Sequence, residues 1–449
     1  MIRRAVRWID DRLGTSSFAQ SALNKVFPDH WSFMLGEIAL YCFLILVLTG
    51  TFLTFFFHAS ENAVTYHGSY APLYGTRMSE AYESVLRLSF DVRVGLVMRQ
   101  IHHWAALVFV AAIVVHLCRV FFTGAFRRPR ELNWIIGVTL LVLAIFNGFT
   151  GYSLPDDLLS GTGLRIAYSI ALSVPFIGTW LAFLLFGGEF PAHQITSRLF
   201  VLHVMLVPGL IFALLGAHLA IIWRQKHTQF AGPGRTESNV VGSKLWPTYA
   251  FKSLGLFCAI FAVLGALGGL AQINPIWLYG PFVPHAVASP AQPDYYLGWV
   301  EGALRIWPAW EFHIFHHTIP EVFLPAVALP SLTFLLLYLW PSIERRFTKD
   351  DRPHELLDDP TDRPGRSAIG AGVLTFYGVL LLAASNDVIA RDLHTSVSGV
   401  TAGFRIALIV LPVFVGATIY RWFYAVKVSG AEGISHVSMK RILHPRSET

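Results

Sequence analysis

The chain has 449 residues, 54% of them hydrophobic and 14% charged, with a formal net charge of +6. That apolar share excludes an ordinary soluble domain and fits a protein that crosses a membrane many times. The positive balance comes with no basic groove pattern or nucleic-acid motif, so nucleic acid is not expected as a partner. The cysteines, Cys42, Cys118 and Cys258, lie in or beside apolar stretches without metal-site spacing. They indicate neither a disulfide framework nor an iron–sulfur centre.

In chain order, Arg3, Arg4 and Arg7 open a polar stretch to about residue 32, with no signal-peptide pattern. Eight apolar stretches follow, at 33–57, 100–122, 134–154, 199–223, 250–270, 321–340, 368–384 and 404–424. Each has about the 20 residues needed to span a bilayer. Another apolar stretch, 166–186, carries Pro175 and Gly178 and leads into Gly187 and Gly188. It reads as a helical hairpin lying at the membrane surface. The expected fold is therefore an all-α integral membrane protein with eight transmembrane helices. With the N-terminus inside, 25 of the 34 Lys and Arg residues fall in the inner segments 1–32, 119–133, 224–252, 345–366 and the tail from 421. The outer stretch 271–320 holds only Arg305. This asymmetry places both termini on the cytoplasmic side of the cell membrane. A Gly/Pro-bearing linker, His227 to Lys244, suggests two parts. Residues 1–230 form one, and residues 231–449 the other, with an outer loop (271–320) and an inner charged loop (344–366).

A histidine within a span is costly without a partner and points to function. His102 and His116 in the second span are 14 residues apart. At about 100° per residue they end about 40° apart and share a face. His103 points nearly opposite to His116, so the geometry selects His102. His203 and His218 in the fourth span are 15 apart, about 60° around the helix. Both separations rise about 21–22 Å. Two helices with inward imidazoles at matched depths make two stacked pairs, the axial ligation of six-coordinate haem iron. Gly36/Gly50 in the first span and Gly137/Gly151 in the third repeat the 14-residue interval. A flat macrocycle needs backbone without a Cβ where its edge approaches. Arg99, Arg119 and Arg198 lie three to five residues from these histidines, suited to haem propionates.

With these pieces in place, the sequence resembles cytochrome b of the quinol:cytochrome c reductases, the cytochrome bc complexes, over nearly its whole length. The resemblance rests on the glycine pairs, "RQIHH", "GYSLPDD" (151–157), the four histidines and "PDYYLGWVEGALRIWP" (293–308). The PDYY form, "GYSLPDD" and "HTIPEVFLPAVALP" (317–330) resemble the actinobacterial branch.

The resemblance implies a di-haem four-helix bundle formed by the first four spans. An outer haem would sit on His102 and His203 and an inner one on His116 and His218, both non-covalent b-type haems. It implies quinol oxidation at the outer face by Pro293, Asp294, Tyr295 and Tyr296. Asp294 would accept a proton at the start of the outer helix, and the tyrosines would orient the quinol oxygen. One electron would pass to a Rieske iron–sulfur partner and the other through the haems to a quinone at the inner face, beside Lys252 and Ser253. The branch implies menaquinone, a cytochrome c subunit and a dimeric complex, and allows an attached terminal oxidase.

The chain departs from the family pattern at several places. Asp294 stands for the usual Glu, Tyr295 for Trp, and Leu-Pro-Asp-Asp for Leu-Pro-Trp-Gly. Ser253 stands for an Asp, which leaves the inner proton donor open. Met34 occupies the place of the cysteine that holds an extra haem in chloroplast-type relatives, so no covalent haem is expected. His313, His316 and His317 in the outer loop have helical metal-ligand spacing, but a solvated loop is the expected reading. Two other classes compete: a di-haem quinol-linked anchor of another dehydrogenase or reductase, which needs neither the last four spans nor the PDYY loop, and a proton-coupled transporter, which needs no haem.

Overall fold

The computed structural model describes residues 2–191, 194–286, 292–314 and 317–443. Eight helices among them are long and apolar enough to cross a membrane: Trp31–Thr54, Gly95–Phe122, Glu131–Tyr152, Ile195–Gln225, Leu245–Leu270, Leu324–Thr348, Pro364–Ala383 and Val397–Ser429. They fall on the eight apolar stretches of the sequence. Their outer faces leave large side chains uncovered, such as Leu332, Leu335 and Leu339 in the sixth span and Ile406, Ile409 and Val413 in the eighth. In lipid such faces need no cover, because a helix satisfies its own backbone. The buried core joins the first five spans through Cys42, Ile45, Ala105, Val110, Ala144, Ile211 and Leu264. Gly268 lets the fifth span approach the second so closely that a Cβ there would lie 2.9 Å from the Ile101 backbone nitrogen.

The expected hairpin is present as helices Leu158–Leu172 and Gly178–Phe186, packed through Leu164, Ala171, Ala182 and Phe186. It starts earlier than the apolar pattern, because Asp157 caps it. The Asp157 carboxylate accepts from the Ser160 backbone N–H at 3.0 Å, and the Ser160 hydroxyl accepts from the Asp157 N–H at 3.1 Å.

Loops gather into two layers at opposite ends of the bundle. In one, Val26–Phe27 pairs antiparallel with Ser243–Lys244, and Gln229–Phe230 parallel with Leu356–Leu357. Arg130 links the carbonyl of His354 (2.7 Å) and the carboxylate of Glu355 (2.7 Å). The buried Arg366 bridges Glu344 (2.8 Å) and Asp358 (2.7 Å). Lys25, before the first span, and Lys427, at the end of the eighth, lie on this side: the Lys25 carbonyl accepts from the Leu245 N–H at 2.8 Å, and Lys427 donates to the Asp362 carbonyl at 3.0 Å. In the other layer, the Glu61 carboxylate receives the backbone N–H groups of Gln194 and Thr196, each at 2.9 Å. The helix Tyr295–Ile306 lies there against the seventh span, through Ala303, Ile306, Leu380 and Ala383.

The fourth span contains a wide π turn, Leu202–Leu206, just before Pro208. Pro208 has no N–H to donate four residues back, and the turn widens to take one extra residue. Fifteen residues between His203 and His218 therefore cover nearly the angle and rise that fourteen cover in the second span.

Candidate functional site

The histidines of the second and fourth spans rest against the glycines of the first and third. A Cβ at Gly50 would lie 3.1 Å from His102 Cε1, at Gly36 3.3 Å from His116 Cε1, and at Gly137 3.7 Å from His218 Cε1; at Gly151 it would overlap the His203 ring. The repeated interval in the sequence thus becomes two levels of glycine–histidine contact.

At the outer level the rings of His102 and His203 face each other with centroids 6.2 Å apart and planes at 73°. Thr49 Oγ1 donates to the Ile45 carbonyl at 2.7 Å, which leaves it to accept from His102 Nδ1 at 2.9 Å. His203 Nδ1 donates to the Asn147 carbonyl at 3.0 Å, with Thr150 Oγ1 at 3.2 Å. A proton on each Nδ1 leaves the Nε2 lone pair free as a metal ligand. The two Nε2 atoms would hold a haem iron between the rings, and the observed 6.2 Å between centroids leaves room for it. The pair borders a cavity of about 670 Å³, which Gly50 and Gly151 also line.

Two buried guanidinium groups have spare N–H donors. Arg99 donates one Nη to the Asn274 carbonyl at 2.6 Å, and its other Nη has no hydrogen-bond partner among the described residues. Arg119 lies 4.2 Å over the Phe33 ring, with Nε and one Nη buried and unpartnered among them. Buried donors of this kind suit carboxylates such as propionates. The histidines, glycines and arginines therefore fit haem. Arg198 is placed differently: its guanidinium packs on Gly187 in the loop after the hairpin.

The outer cavity has a second set of polar groups. Asp294 stands at the start of the helix Tyr295–Ile306, but its carboxylate does not cap the helix. One oxygen accepts from His103 Nε2 at 2.9 Å, the other from the Tyr296 hydroxyl at 2.9 Å. Burial, reinforced by the Asp294 charge, pushes the Tyr296 phenol well above its usual range. The absence of a side chain at Gly148 makes room for that ring, since a Cβ there would lie 2.7 Å from the Tyr296 hydroxyl oxygen. Asp294, Tyr296 and His103 line the same cavity as His102 and His203. Tyr295 instead donates to the Leu107 carbonyl of the second span at 2.8 Å, and Pro293 does not line the cavity. His102 thus turns to His203 and His103 to Asp294, which only the tertiary packing brings to it.

At the other end of the bundle, Lys252 forms an ion pair with Asp29 at 2.6 Å. Ser253 donates to Glu37 of the first span at 2.6 Å, and the Tyr249 hydroxyl also donates to Glu37. Glu37 had no signal in the sequence beyond being a carboxylate near the end of a span. In the outer loop, His313 is exposed and bonds the Thr318 hydroxyl at 3.1 Å. His316 and the side chain of His317 lie outside the described residues. Among the described residues no three metal-ligating side chains cluster.

The family model described as cytochrome b(N-terminal)/b6/petB matches residues 107–281. Cytochrome bc1 complex cytochrome b subunits of Mycobacterium leprae and Mycobacterium tuberculosis are each 55% identical over 437 residues, covering 97% of this chain and 79% of the relative. The Streptomyces coelicolor subunit of that name is 52% identical over 411 residues, covering 91% of this chain and 75% of the relative. A solved chain titled hyperthermophilic respiratory Complex III superposes with a TM-score of 0.65 at 20% identity, covering 93% of this chain and 100% of that one; at that identity the likeness is one of fold.

An eight-span helical membrane protein whose second and fourth spans set histidines against glycines of the first and third at two depths belongs to the cytochrome b class of electron-transport proteins. More narrowly, the chain belongs to the family of cytochrome bc1 complex cytochrome b subunits, of the type found in actinobacteria. Membership of that family implies haem binding. The relatives match through the last four spans and the PDYY helix, which removes the dehydrogenase-anchor and transporter readings.

Proposed function

We propose that this chain carries two non-covalent b-type haems within a membrane quinol:cytochrome c oxidoreductase that oxidises quinol at the outer cavity and reduces a quinone at the opposite face. The observation that carries this reading is the meeting of two groups on one cavity: facing imidazoles 6.2 Å apart and a carboxylate held by His103 and Tyr296. His102 with His203 holds the outer haem and His116 with His218 the inner one, while Arg99 and Arg119 offer N–H donors to propionates. When bound, the haems supply one-electron carriers at two depths in the membrane.

The rest is proton handling by the protein. Quinol must lose two protons as it loses two electrons. The Asp294 carboxylate keeps a free lone pair on each oxygen and accepts one hydroxyl proton. Tyr296 and His103 hold it in place, and the second nitrogen of His103 can take a proton in turn. The cavity walls, Gly50, Gly148 and Gly151 among them, give a flat ring access. A Rieske iron–sulfur subunit takes the other electron, and a cytochrome c subunit completes the complex, which forms a dimer. The resemblance to the actinobacterial branch implies menaquinone as the substrate and allows an attached terminal oxidase. The basic inner segments support a cell-membrane location with both termini cytoplasmic. Residues 1–230 serve as the di-haem bundle and 231–449 supply the outer quinol loop and the start of the inner site.

The test is Asp294→Asn in the purified complex. Quinol oxidation is expected to slow by about a hundredfold, with two b-type haems per chain retained by pyridine haemochrome. Unchanged turnover removes the role of Asp294, and a colourless protein removes the whole reading.

A further inference from the structure

We infer that Glu37 is the proton donor of the inner quinone site, taking the place of the family aspartate that Ser253 replaces. The inference rests on the two-site reading above and deepens it. Glu37 lies in the first turns of the first span, half-buried, and faces the start of the fifth. Three hydroxyl groups converge on its carboxylate. Ser253 Oγ donates to Oε2 at 2.6 Å, the Tyr41 hydroxyl reaches the same oxygen at 3.4 Å, and the Tyr249 hydroxyl donates to Oε1. Tyr41 and Ser253 are also bonded to each other. No lysine or arginine pairs with Glu37 among the described residues. The nearby Lys252 is engaged by Asp29 at 2.6 Å, and Asp29 also accepts from Ser243 at 2.6 Å.

Hydroxyl groups without a fixed cation suit a carboxyl that changes its protonation state. They stabilise the anion by hydrogen bonds yet leave no ion pair to be broken when the proton returns. The position suits the task as well. Glu37 follows Gly36, the residue against which the His116 ring packs, so the carboxyl stands beside the inner histidine level. The Lys252–Asp29 pair, next in the chain to Ser253, is about half exposed.

Reduction of a quinone takes two electrons and two protons, and each carbonyl becomes a hydroxyl. Two quinols oxidised at the outer site supply the electrons, one each, while the other electron of each goes to the Rieske partner. Glu37 gives one proton to one carbonyl oxygen and is left as the carboxylate held by Ser253, Tyr249 and Tyr41. Lys252 gives the other, and both groups regain protons from the inner aqueous phase. The class of ligand is a para-quinone, whose two carbonyl oxygens take the two protons.

The test uses the purified complex with Glu37→Gln, Glu37→Asp and the double variant Glu37→Gln/Ser253→Asp, which moves the carboxyl across to the family position. The probe is a menaquinone with a two-isoprene tail. Two readouts are taken: re-oxidation of pre-reduced b-type haem absorbance by the quinone, and the carboxyl carbonyl band in the infrared quinol-minus-quinone difference spectrum. Glu37→Gln is expected to keep both haems, lose the infrared band and slow re-oxidation by about a hundredfold. Glu37→Asp should shift the band, and the double variant should recover most of the rate. If Glu37→Gln keeps the band and the rate, the inference is overturned while the two-site reading stands. If the unmodified complex shows two haems but no re-oxidation by the quinone, the inner site itself is lost, and the inference with it.

Discussion

The four glycine–histidine contacts differ in closeness, and that difference makes a graded prediction. Replacing each glycine by alanine adds one Cβ against a histidine ring. Carbon atoms rest comfortably at about 3.5–4.0 Å. At Gly137 the new Cβ would lie 3.7 Å from His218 Cε1, an ordinary contact. At Gly36 (3.3 Å) and Gly50 (3.1 Å) the ring must give way by a few tenths of an ångström. At Gly151 the Cβ would overlap the His203 ring, lying 2.9 Å even from Nε2, the atom assigned to the metal. His203 cannot swing aside freely, because its Nδ1 is tied to the Asn147 carbonyl at 3.0 Å. Overpacking of this kind costs about 1–3 kcal/mol, against a gain of about 0.5–1 kcal/mol for alanine over glycine in a helix. The difference is about 2 kcal/mol at the upper ends of both ranges, and at about 1.4 kcal/mol per factor of ten Gly151→Ala, the tightest contact, should weaken outer-haem retention by about tenfold, while Gly137→Ala should leave the inner haem in place. The assay is haem content per chain with a reduced-minus-oxidised spectrum resolving the two b components. The expected order of loss is Gly151, Gly50, Gly36, Gly137. Full retention in Gly151→Ala, or greater loss in Gly137→Ala, would refute the cradle.

Two further predictions concern the loop layers. Arg366→Met removes the cation between Glu344 and Asp358; because Asp358 keeps Arg127 (3.2 Å) and Arg363 (3.4 Å) while Glu344 loses its ion pair, the cost should be about 3 kcal/mol. A clear drop in the melting temperature of the detergent-solubilised protein checks this, and an unchanged value counts against it. Asp156, in the outer loop after the third span, has its carboxyl pushed up to about 7 from 3.8, first by burial and then by the neighbouring charges of Glu61 and Asp157. The folded form therefore binds more protons than the unfolded one between about pH 4 and pH 7, so stability falls as pH rises through that window. Asp156→Asn should flatten this dependence in melting curves at pH 5 and pH 8, and equal slopes in the two proteins would argue against the assignment.

Much of this protein could be read from its sequence because a membrane imposes one-dimensional rules. Each of the eight spans must be apolar over its own length, since lipid satisfies no backbone group, and each stretch named from the sequence coincides with a helix. The intervals of the histidines and glycines were legible for the same reason: a straight helix turns spacing into direction. Where the helix is not straight, spacing and direction part, as in the fourth span, where the π turn before Pro208 takes up one extra residue. What the sequence could not supply was the pairing of groups far apart in the chain. Asp294 was recognisable, but its bond to His103 comes from the packing of the outer helix between loops and spans. Ser253 was recognisable, but Glu37 reaches it only because the first span lies beside the fifth. Tyr295 and Arg198 had the right sequence neighbours, yet their side chains turn to Leu107 and Gly187. Local sequence governs hydropathy and helical phase, which are properties of one segment in lipid. The partners of buried polar side chains depend on which segments touch, and that is decided by the packing of the whole bundle.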